Sequence, residues 1–335
     1  MCAWPISFLL FCGLLLITDY FQMIDAFKNP PYGQLAVSGK NLVEKSTNNP
    51  VVLRGLSMYW SQWVPKYWTA ETIKKLKCSC NANVVRAAMA TEYNGYLQNP
   101  TVEYNKMKVL IEAAINEGIY IVVDWHTGED LATNQIEQAK EFFTKIAQNY
   151  GSNPHILYEI WNEPNKYVTW EAVIKPYSKT LVDVIRQYDK NNVIIVGTPN
   201  WSQDVDLVAK NPLSGYTNIV YSLHFYAGSH EEFLRKKIKA AYELGLPMFV
   251  TEYGCWSEPY NEWKNFNELE KYYPILDSMG ISYTAWHVAD IDEQSSIMTK
   301  GTEIKDICNP AYLTSYGKKI IGNLLYKNAG TGLYC

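Results

Sequence analysis

The chain has 335 residues, of which 47% are hydrophobic and 19% are charged, so it can bury a large core and intrinsic disorder is excluded. The net charge is −4 and no block of like charge stands out, which excludes the basic surface needed to bind nucleic acid or an anionic membrane. A neutral partner is therefore favoured, and the 14% of aromatic residues supplies flat rings that can stack on one.

The N-terminal segment contains an apolar stretch, residues 6–17, that is too short to span a bilayer. Its position predicts a secretory signal peptide over residues 1–26, with Ala26 as the last residue removed, although residues 1–5 carry no Lys or Arg. Residues 27–335 would then be an extracellular protein with no membrane attachment. A retained signal anchor is the alternative.

Five cysteines remain after the predicted cleavage, at positions 78, 80, 255, 308 and 335. An oxidising compartment predicts one or two disulfides among them. Cys78 and Cys80 are too close in sequence to pair comfortably with each other, so we expect one of them to reach a distant partner such as Cys308 or Cys335. A zinc site is not expected, because Cys78-Ser79-Cys80 lacks the usual spacing of two residues between ligands.

Eight apolar, β-rich runs follow along the chain and alternate with amphipathic segments. The predicted strands are Val51–Leu56, Asn83–Ala88, Ile119–Trp125, Ile156–Trp161, Val193–Gly197, Ile219–His224, Met248–Tyr253 and Ser282–His287. Helical spacing of apolar residues is found in Thr101–Glu117, Thr133–Tyr150, Glu171–Tyr188 and Glu231–Leu244. Such alternation predicts a parallel sheet covered by helices.

Eight such units favour an α/β fold, a closed (β/α)8 barrel that forms a single domain over residues 27–335. A doubly wound open sheet is the alternative topology. It would usually carry a glycine-rich phosphate loop after the first strand, and Arg54-Gly55-Leu56-Ser57 does not match that loop.

The predicted strands end in polar residues, where the catalytic groups of a barrel lie. These residues are Arg86, Asp124, His126, Asn162, Glu163, His224, Tyr226, Glu252 and Trp286. Each has a structural explanation by itself, such as a paired arginine or a hydrogen-bonded core histidine. Burying them around one axis would cost stability unless they form a satisfied network, so together they favour a functional site.

Two of the strand ends carry glutamates, Glu163 and Glu252, and a pair of carboxylates is what hydrolysis of a glycosidic bond requires. One must be protonated at rest, which a neighbouring carboxylate promotes, while the other stays ionised. Arg86 and Tyr226 are natural supports for the ionised nucleophile, and Asn162 can bind a sugar hydroxyl beside the scissile bond.

Longer motifs around these residues are specific. They are Asn83-Val84-Val85-Arg86-Ala87-Ala88-Met89, Asp124-Trp125-His126, Glu159-Ile160-Trp161-Asn162-Glu163-Pro164, Trp201-Ser202-Gln203-Asp204-Val205, His224-Phe225-Tyr226-Ala227-Gly228 and Thr251-Glu252-Tyr253-Gly254. With them the chain resembles glycoside hydrolase family 5, the cellulase family, and within it the endoglucanases of bacteria, nematodes and beetles. The resemblance extends over about residues 32–326.

The resemblance implies a retaining endo-β-1,4-glucanase in which Glu163 is the acid/base and Glu252 the nucleophile. It implies that Arg86 and Tyr226 orient Glu252. It further implies sugar contacts for His126, Asn162 and His224, a stacking platform at Trp286, and rings at Trp63 and Trp201 in more distant parts of the cleft. The partner would be a β-1,4-linked polysaccharide bound by a monomer, without cofactor or metal.

The sequence departs from the family pattern at three positions on the glycone side of the cleft. Ala90 stands where relatives commonly have Tyr, Ile291 where they have Lys, and Tyr59 where they have His. These changes would alter sugar preference more than the chemistry. Cellulose is kept as the first expectation, and xyloglucan, xylan or mannan is the alternative.

Three other functions were weighed against this one. A non-catalytic carbohydrate-binding relative would have lost one of the two carboxylates, and a transglycosylase cannot be separated by sequence from a hydrolase. A metal-dependent hydrolase would need ligands such as His126 with Glu129 or Asp130.

The sequon at Asn200 lies on a loop with a cleft aromatic residue, so we expect it to be unoccupied or directed away from the cleft.

Overall fold

The structure is a computed structural model that describes residues 28–128, 132–257 and 265–331, together with residues 333 and 335. The predicted signal peptide over residues 1–26 lies outside the described residues, as do Glu129 and Asp130. No helix in the described part of the chain is both long and apolar enough to cross a membrane.

Eight strands form a closed barrel in which every pair of neighbours is parallel, so the predicted (β/α)8 architecture is confirmed and the open sheet is wrong. The strands are β3 (Arg54–Met58), β4 (Val84–Ala90), β5 (Tyr120–His126), β6 (Ile156–Glu159), β7 (Ile194–Val196), β8 (Ile219–Tyr226), β9 (Met248–Gly254) and β10 (Ser282–Val288). Their β-branched and aromatic residues suit strands that are buried on both faces.

Helices surround the barrel between successive strands. The longer ones are Ala70–Cys78, Pro100–Glu117, Ile136–Tyr150, Lys175–Arg186, Glu232–Glu243, Phe266–Ser278 and Ser315–Lys327. In the second of these, Met107, Leu110, Ile111 and Ala114 are buried at helical spacing and face the sheet. That helix ends at Gly118, whose φ of 70° gives the left-handed cap that glycine favours.

A hairpin precedes the barrel and was not predicted. Its strands β1 (Leu35–Ser38) and β2 (Asn41–Glu44) are antiparallel, and Leu35 and Leu42 pack with the apolar side chains inside the barrel. The backbone N–H of Val51 donates to the carbonyl of Leu42 at 2.8 Å. Val51 is thus hydrogen-bonded to the hairpin. The first barrel strand begins at Arg54, and its predicted start at Val51 is wrong.

The barrel interior is layered because successive side chains of a strand point to opposite faces. An apolar layer near the N-terminal ends of the strands includes Tyr120, Val122 and Phe249. Two residues beyond Val122 in β5, the inward-pointing side chain is that of Asp124. Two residues beyond Phe249 in β9, it is that of Thr251. The fold therefore places polar side chains directly on an apolar floor.

Two disulfides join the ends of the domain. Cys78 pairs with Cys335 and Cys80 pairs with Cys308, so both members of the Cys78-Ser79-Cys80 segment reach distant partners. The fifth cysteine, Cys255, is buried and belongs to neither bond. The expectation of distant pairing is confirmed, and the two bonds hold the last helix near the first one.

We predict that Cys80→Ser combined with Cys308→Ser lowers the free energy of unfolding by about 2–5 kcal/mol, because this bond closes a loop of 228 residues in the unfolded chain. Urea denaturation under non-reducing conditions measures the difference. In dithiothreitol the variant and the parent should unfold at the same urea concentration. Equal stability without reductant would contradict the prediction.

Candidate active site

The guanidinium of Arg86 is the centre of the polar layer and is fully buried. Its Nε donates to Glu159 Oε2 at 2.7 Å, and its Nη1 donates to Glu252 Oε2 at 3.0 Å. Its Nη2 lies 2.9 Å from Asp124 Oδ2 and donates to Asn162 Oδ1 at 2.6 Å. One cation thus joins its own strand, β4, to the ends of three others, β5, β6 and β9.

The charge balance around Arg86 explains the protonation of its partners. Burial alone would lower the pKa of Arg86, but Asp124, Glu159 and Glu252 outweigh burial and raise it. Burial would raise the pKa of Glu159, but Arg86 and then His224 lower it to about 2. Burial raises the pKa of Asp124 well above its ordinary value. The cation is permanent, and Glu159 is its ionised partner at neutral pH.

Glu252 lies in β9 with its carboxylate directed into the cleft. Besides Arg86, the hydroxyl of Tyr226 donates to Glu252 Oε1. The pairing of β8 with β9 shifts here, since Ser222 faces Phe249 while His224 faces Glu252. This extra residue in β9 is a bulge, and bulges re-aim side chains beside active sites. In a regular strand only one of two adjacent side chains would point inward. Because of the bulge, Thr251 and Glu252 both do so.

Glu163 lies in the loop that follows β6 and is more exposed than Glu252. Its Oε1 is 2.8 Å from Nδ1 of His224, which belongs to β8. One oxygen of Glu163 and one of Glu252 lie within 4.8 Å of each other. This is close to the separation of about 5–5.5 Å between the carboxyl groups of a retaining glycosidase and shorter than the 6.5–9.5 Å of an inverting one.

Two buried histidines in the site hold different charges. Burial would lower the pKa of His224, but the carboxylates of Glu159 and Glu163 raise it to about 9. Burial lowers the pKa of His126 to about 3, and its Nδ1 is 2.7 Å from Asp124 Oδ2. At neutral pH His224 is therefore a cation beside Glu163, whereas His126 is a neutral ring at the cleft wall.

Two cavities meet at Glu163 and Tyr226. The first, which we call the Trp286 cavity, has a volume of 250 Å³ and is lined also by Glu252, Trp286 and Trp60. The second, the Trp201 cavity, has a volume of 700 Å³ and is lined by rings that include Trp201 and Phe233. The two carboxylates stand where the halves of one cleft join.

Most candidates predicted at strand ends line this cleft, whereas Arg86 and Asp124 are fully buried behind it and contact the residues that line it. Trp286 lines it and stacks on His126 with ring centroids 5.4 Å apart. Trp63 and Trp201 lie away from the carboxylates, Trp63 beside the Trp286 cavity and Trp201 in the other half. The resemblance implies that His224 contacts the sugar. In the structure both of its ring nitrogens contact protein groups, one Glu163 and the other Thr251.

Two rings in this half of the cleft were not predicted, namely Trp60, which lines the Trp286 cavity, and Tyr93, which lies beside Trp60. Trp60 stacks on Trp63 with centroids 4.8 Å apart, and Trp63 stacks on Tyr93 at 6.0 Å. Tyr93 lies three residues beyond Ala90, and its φ of 52° lies in the left-handed region that such a large residue rarely adopts. Ala90 itself is fully buried, and the loop after it brings the Tyr93 ring against Trp60 and Trp63.

The other unusual positions lie nearby. The hydroxyl of Tyr59 donates to Glu293 Oε1 at 3.0 Å, and its ring lies 5.6 Å from that of Trp286. Ile291 packs against the core. Asn200 lines the Trp201 cavity, which agrees with the expectation that a glycan attached there would crowd the cleft. Its occupancy stays a prediction.

One group of metal-ligating side chains converges among the described residues, namely Glu163, His224 and Glu252. Each already has a protein partner, such as Arg86 for Glu252 and Thr251 for His224. The metal hypothesis based on His126 requires Glu129 or Asp130, which lie outside the described residues, and Nδ1 of His126 already contacts Asp124. The absence of a metal requirement stays a prediction.

Comparison with known proteins gives one consistent result. The family model described as Cellulase (glycosyl hydrolase family 5) matches residues 44–291. An endoglucanase of Clostridium saccharobutylicum is 40% identical over 294 residues, which are 87% of this chain and 65% of that protein. An endoglucanase named Endoglucanase 5 from Pectobacterium carotovorum is 38% identical over 89% of this chain and 59% of its own length. The chain thus spans less than two thirds of these curated relatives.

A solved structure from Cytophaga hutchinsonii shares the fold and much of the sequence. It has a TM-score of 0.86 and 39% identity, and the match covers 89% of this chain and 96% of that one.

We predict that His224 stabilises the fold mainly at neutral and acidic pH. Its folded pKa of about 9 exceeds the unfolded value of about 6.5, so its contribution is complete below pH 6.5 and is lost as pH rises to about 9. The difference in unfolding free energy between the parent and His224→Gln should fall by up to about 1.4 kcal/mol per pH unit in this window. Urea denaturation at several pH values measures it.

The matched control is His287→Gln, because burial lowers the pKa of His287 and its contribution should not change above pH 6.5. A constant difference for His224→Gln between pH 6.5 and 9 would contradict the prediction.

Proposed function

We propose that this chain, which belongs to the cellulase family, glycosyl hydrolase family 5, is a secreted endo-β-1,4-glucanase that hydrolyses internal glycosidic bonds with retention of configuration. The observation that carries the proposal is the close approach of the Glu163 and Glu252 carboxylates, within 4.8 Å, at the junction of two cavities. A sugar can occupy each cavity while the bond between the two sugars lies beside both carboxylates.

In the first step Glu252 attacks the anomeric carbon of the sugar in the Trp286 cavity while Glu163 protonates the glycosidic oxygen. The bond from carbon to that oxygen breaks, and the proton and the electron pair leave with the alcohol in the Trp201 cavity. Arg86 and Tyr226 hold both oxygens of Glu252, so the nucleophile is oriented before the substrate binds.

In the second step a water molecule enters from the Trp201 cavity and attacks the anomeric carbon of the covalent intermediate. Glu163, now ionised, takes the proton of this water, and the bond to Glu252 breaks. Two inversions give net retention. The His224 cation at 2.8 Å stabilises the Glu163 carboxylate that exists between the two steps.

A β-1,4-glucan is the substrate we propose, because the relatives described above are named endoglucanases and because the cleft is lined by rings in both halves. The Trp60, Trp63 and Tyr93 rings stack on one another and form an aromatic cluster in the half of the cleft that contains the Trp286 cavity, where a sugar ring can contact it. A substituted or different β-1,4-glycan is the second candidate, favoured by the absence of a cation at Ile291.

Secretion is proposed from two features, the predicted signal peptide and the disulfides. Cys78–Cys335 and Cys80–Cys308 would be reduced in most cytosols and are expected of proteins that fold in an oxidising compartment.

We predict that Glu252→Gln and Glu163→Gln each lower kcat/KM on cello-oligosaccharides by about 10²–10⁴-fold or more, since each removes one partner of the displacement. With azide and an aryl cellobioside, Glu163→Ala should form the β-cellobiosyl azide and Glu252→Ala the α anomer, as NMR of the products would show. The control Glu243→Gln changes an exposed glutamate outside the cleft. Full turnover by Glu252→Gln would refute the catalytic assignment and favour a carbohydrate-binding protein.

We predict that kcat/KM is highest for soluble cellulose derivatives when carboxymethylcellulose, xyloglucan, xylan and glucomannan are compared by reducing-sugar release. This order is expected from the relatives named endoglucanases, because aromatic rings alone suit the equatorial linkages of glucan and xylan equally. EDTA should leave the rates unchanged. A clear preference for xylan would refute the glucanase assignment but leave the retaining mechanism intact.

A further inference from the structure

We propose that Thr251 is a positioning residue of the hydrolytic reaction, because its buried hydroxyl joins the acid/base and the nucleophile in one hydrogen-bonded chain. The inference rests on the proposed function and deepens it. Thr251 touches neither cavity and is fully buried, so it would act through other residues.

The chain of contacts is continuous from one carboxylate to the other. His224 lies between Glu163 and Thr251, with Nδ1 2.8 Å from Glu163 Oε1 and Nε2 2.8 Å from Thr251 Oγ1. Thr251 Oγ1 donates to Glu159 Oε1 at 2.6 Å. The other oxygen of Glu159 accepts from Arg86, which donates in turn to Glu252. The uncharged Ser222 lies beside this chain, with its Oγ 2.6 Å from Thr251 Oγ1 and 3.3 Å from Glu159 Oε1, but it does not contact His224.

The hydroxyl of Thr251 has one proton, and this fixes the direction of its hydrogen bonds. The ionised carboxylate of Glu159 can only accept, so Thr251 donates to Glu159. Its lone pairs are then left to accept, and Nε2 of His224 must carry a proton to donate to them. Thr251 therefore selects the state of His224 in which Nε2 is protonated and Nδ1 faces Glu163.

This state matters most when Glu163 gives its proton to the leaving oxygen. As Glu163 becomes negative, the bond from the His224 cation to its Oε1 becomes charge-assisted and strengthens. An interaction that strengthens in the transition state raises kcat and not merely affinity. Thr251 and Glu159 keep the cation in place on its other side.

The charged groups around this relay come from strands β4, β5, β6 and β9 and from the loops after β6 and β8. His224 faces Glu159, Glu163 and Glu252, and it also interacts with Asp124 and His230. Arg86 balances Glu159 from the far side.

The bulge in β9 supports a specific role for Thr251. Regular alternation would direct only one of two adjacent side chains into the barrel. The register also shifts on the other edge of β9, where Tyr283 faces Val250 and Ala285 faces Tyr253. Both Thr251 and Glu252 consequently face inward, which places the relay hydroxyl directly next to the nucleophile in sequence.

The test compares two substrates for each variant. Cello-oligosaccharides have a poor leaving group that needs the acid, whereas 2,4-dinitrophenyl β-cellobioside does not need it. Thr251→Val removes the hydroxyl at nearly constant volume. It should lower kcat on the oligosaccharide roughly ten- to hundredfold with little change of KM, because only a part of the rate gained from acid catalysis is lost. On the aryl substrate the glycosylation rate should fall by less than about threefold.

Thr251→Ser keeps the hydroxyl and should restore the parental ratio of the two rates. Thr284→Val is the matched control, since it removes a buried hydroxyl that bonds the carbonyl of Thr251 and lies outside the relay. If Thr251→Val does not fold, Thr251→Ala takes its place in the same comparison. The relay would be overturned if Thr251→Val lost the same rate on both substrates, or if the valine and serine variants had the same ratio of the two rates. The proposed function would stand in that case, provided that the parent hydrolyses with retention of configuration. A parent that does not hydrolyse either substrate would overturn the proposed function itself.

Discussion

The buried guanidinium of Arg86 is the constraint on which the site depends. It lies on an apolar floor and contacts three carboxylates, from Asp124, Glu159 and Glu252. Desolvating one such cation costs several kcal/mol, and only good geometry with several hydrogen bonds offsets this cost. Removing Arg86 would leave three buried carboxyl groups without the cation that they share, so Arg86 fixes the positions of strands β4, β5, β6 and β9 relative to one another.

The same arrangement suits the two glutamates to the different roles that we propose for them. Glu252 is held by Arg86 and Tyr226 and lies almost buried, whereas Glu163 lies on a loop and is supported by a single cation, His224. A nucleophile must be oriented and ionised, while an acid/base must change its charge in each step. The rigid strand position suits the first role and the more open loop position suits the second.

Much of the fold and the site could be predicted from the sequence, because strand ends are marked locally by a polar residue after an apolar run. Glu163, Glu252, Arg86 and His224 are such residues. The hairpin at Leu35–Glu44 could not be predicted in this way, since its leucines are explained only by the barrel interior that they cover. Thr251 was hidden for a related reason: a threonine in a strand is ordinary until the bulge shows that it faces the barrel.

The substrate side of the cleft shows why a single position is weak evidence for specificity. Ala90 alone indicates a lost stacking ring, yet the loop that follows it returns Tyr93 to the same region, against Trp63 and Trp60. What binds a sugar is an apolar face of suitable extent, and such a face can be built from different backbone positions. The unusual backbone at Tyr93 has a cost of about 1–3 kcal/mol, which the rest of the fold must offset. A cost of this size at a ring beside the cleft is more easily explained by binding than by stability, so we expect the loop after β4 to influence which glycan is bound.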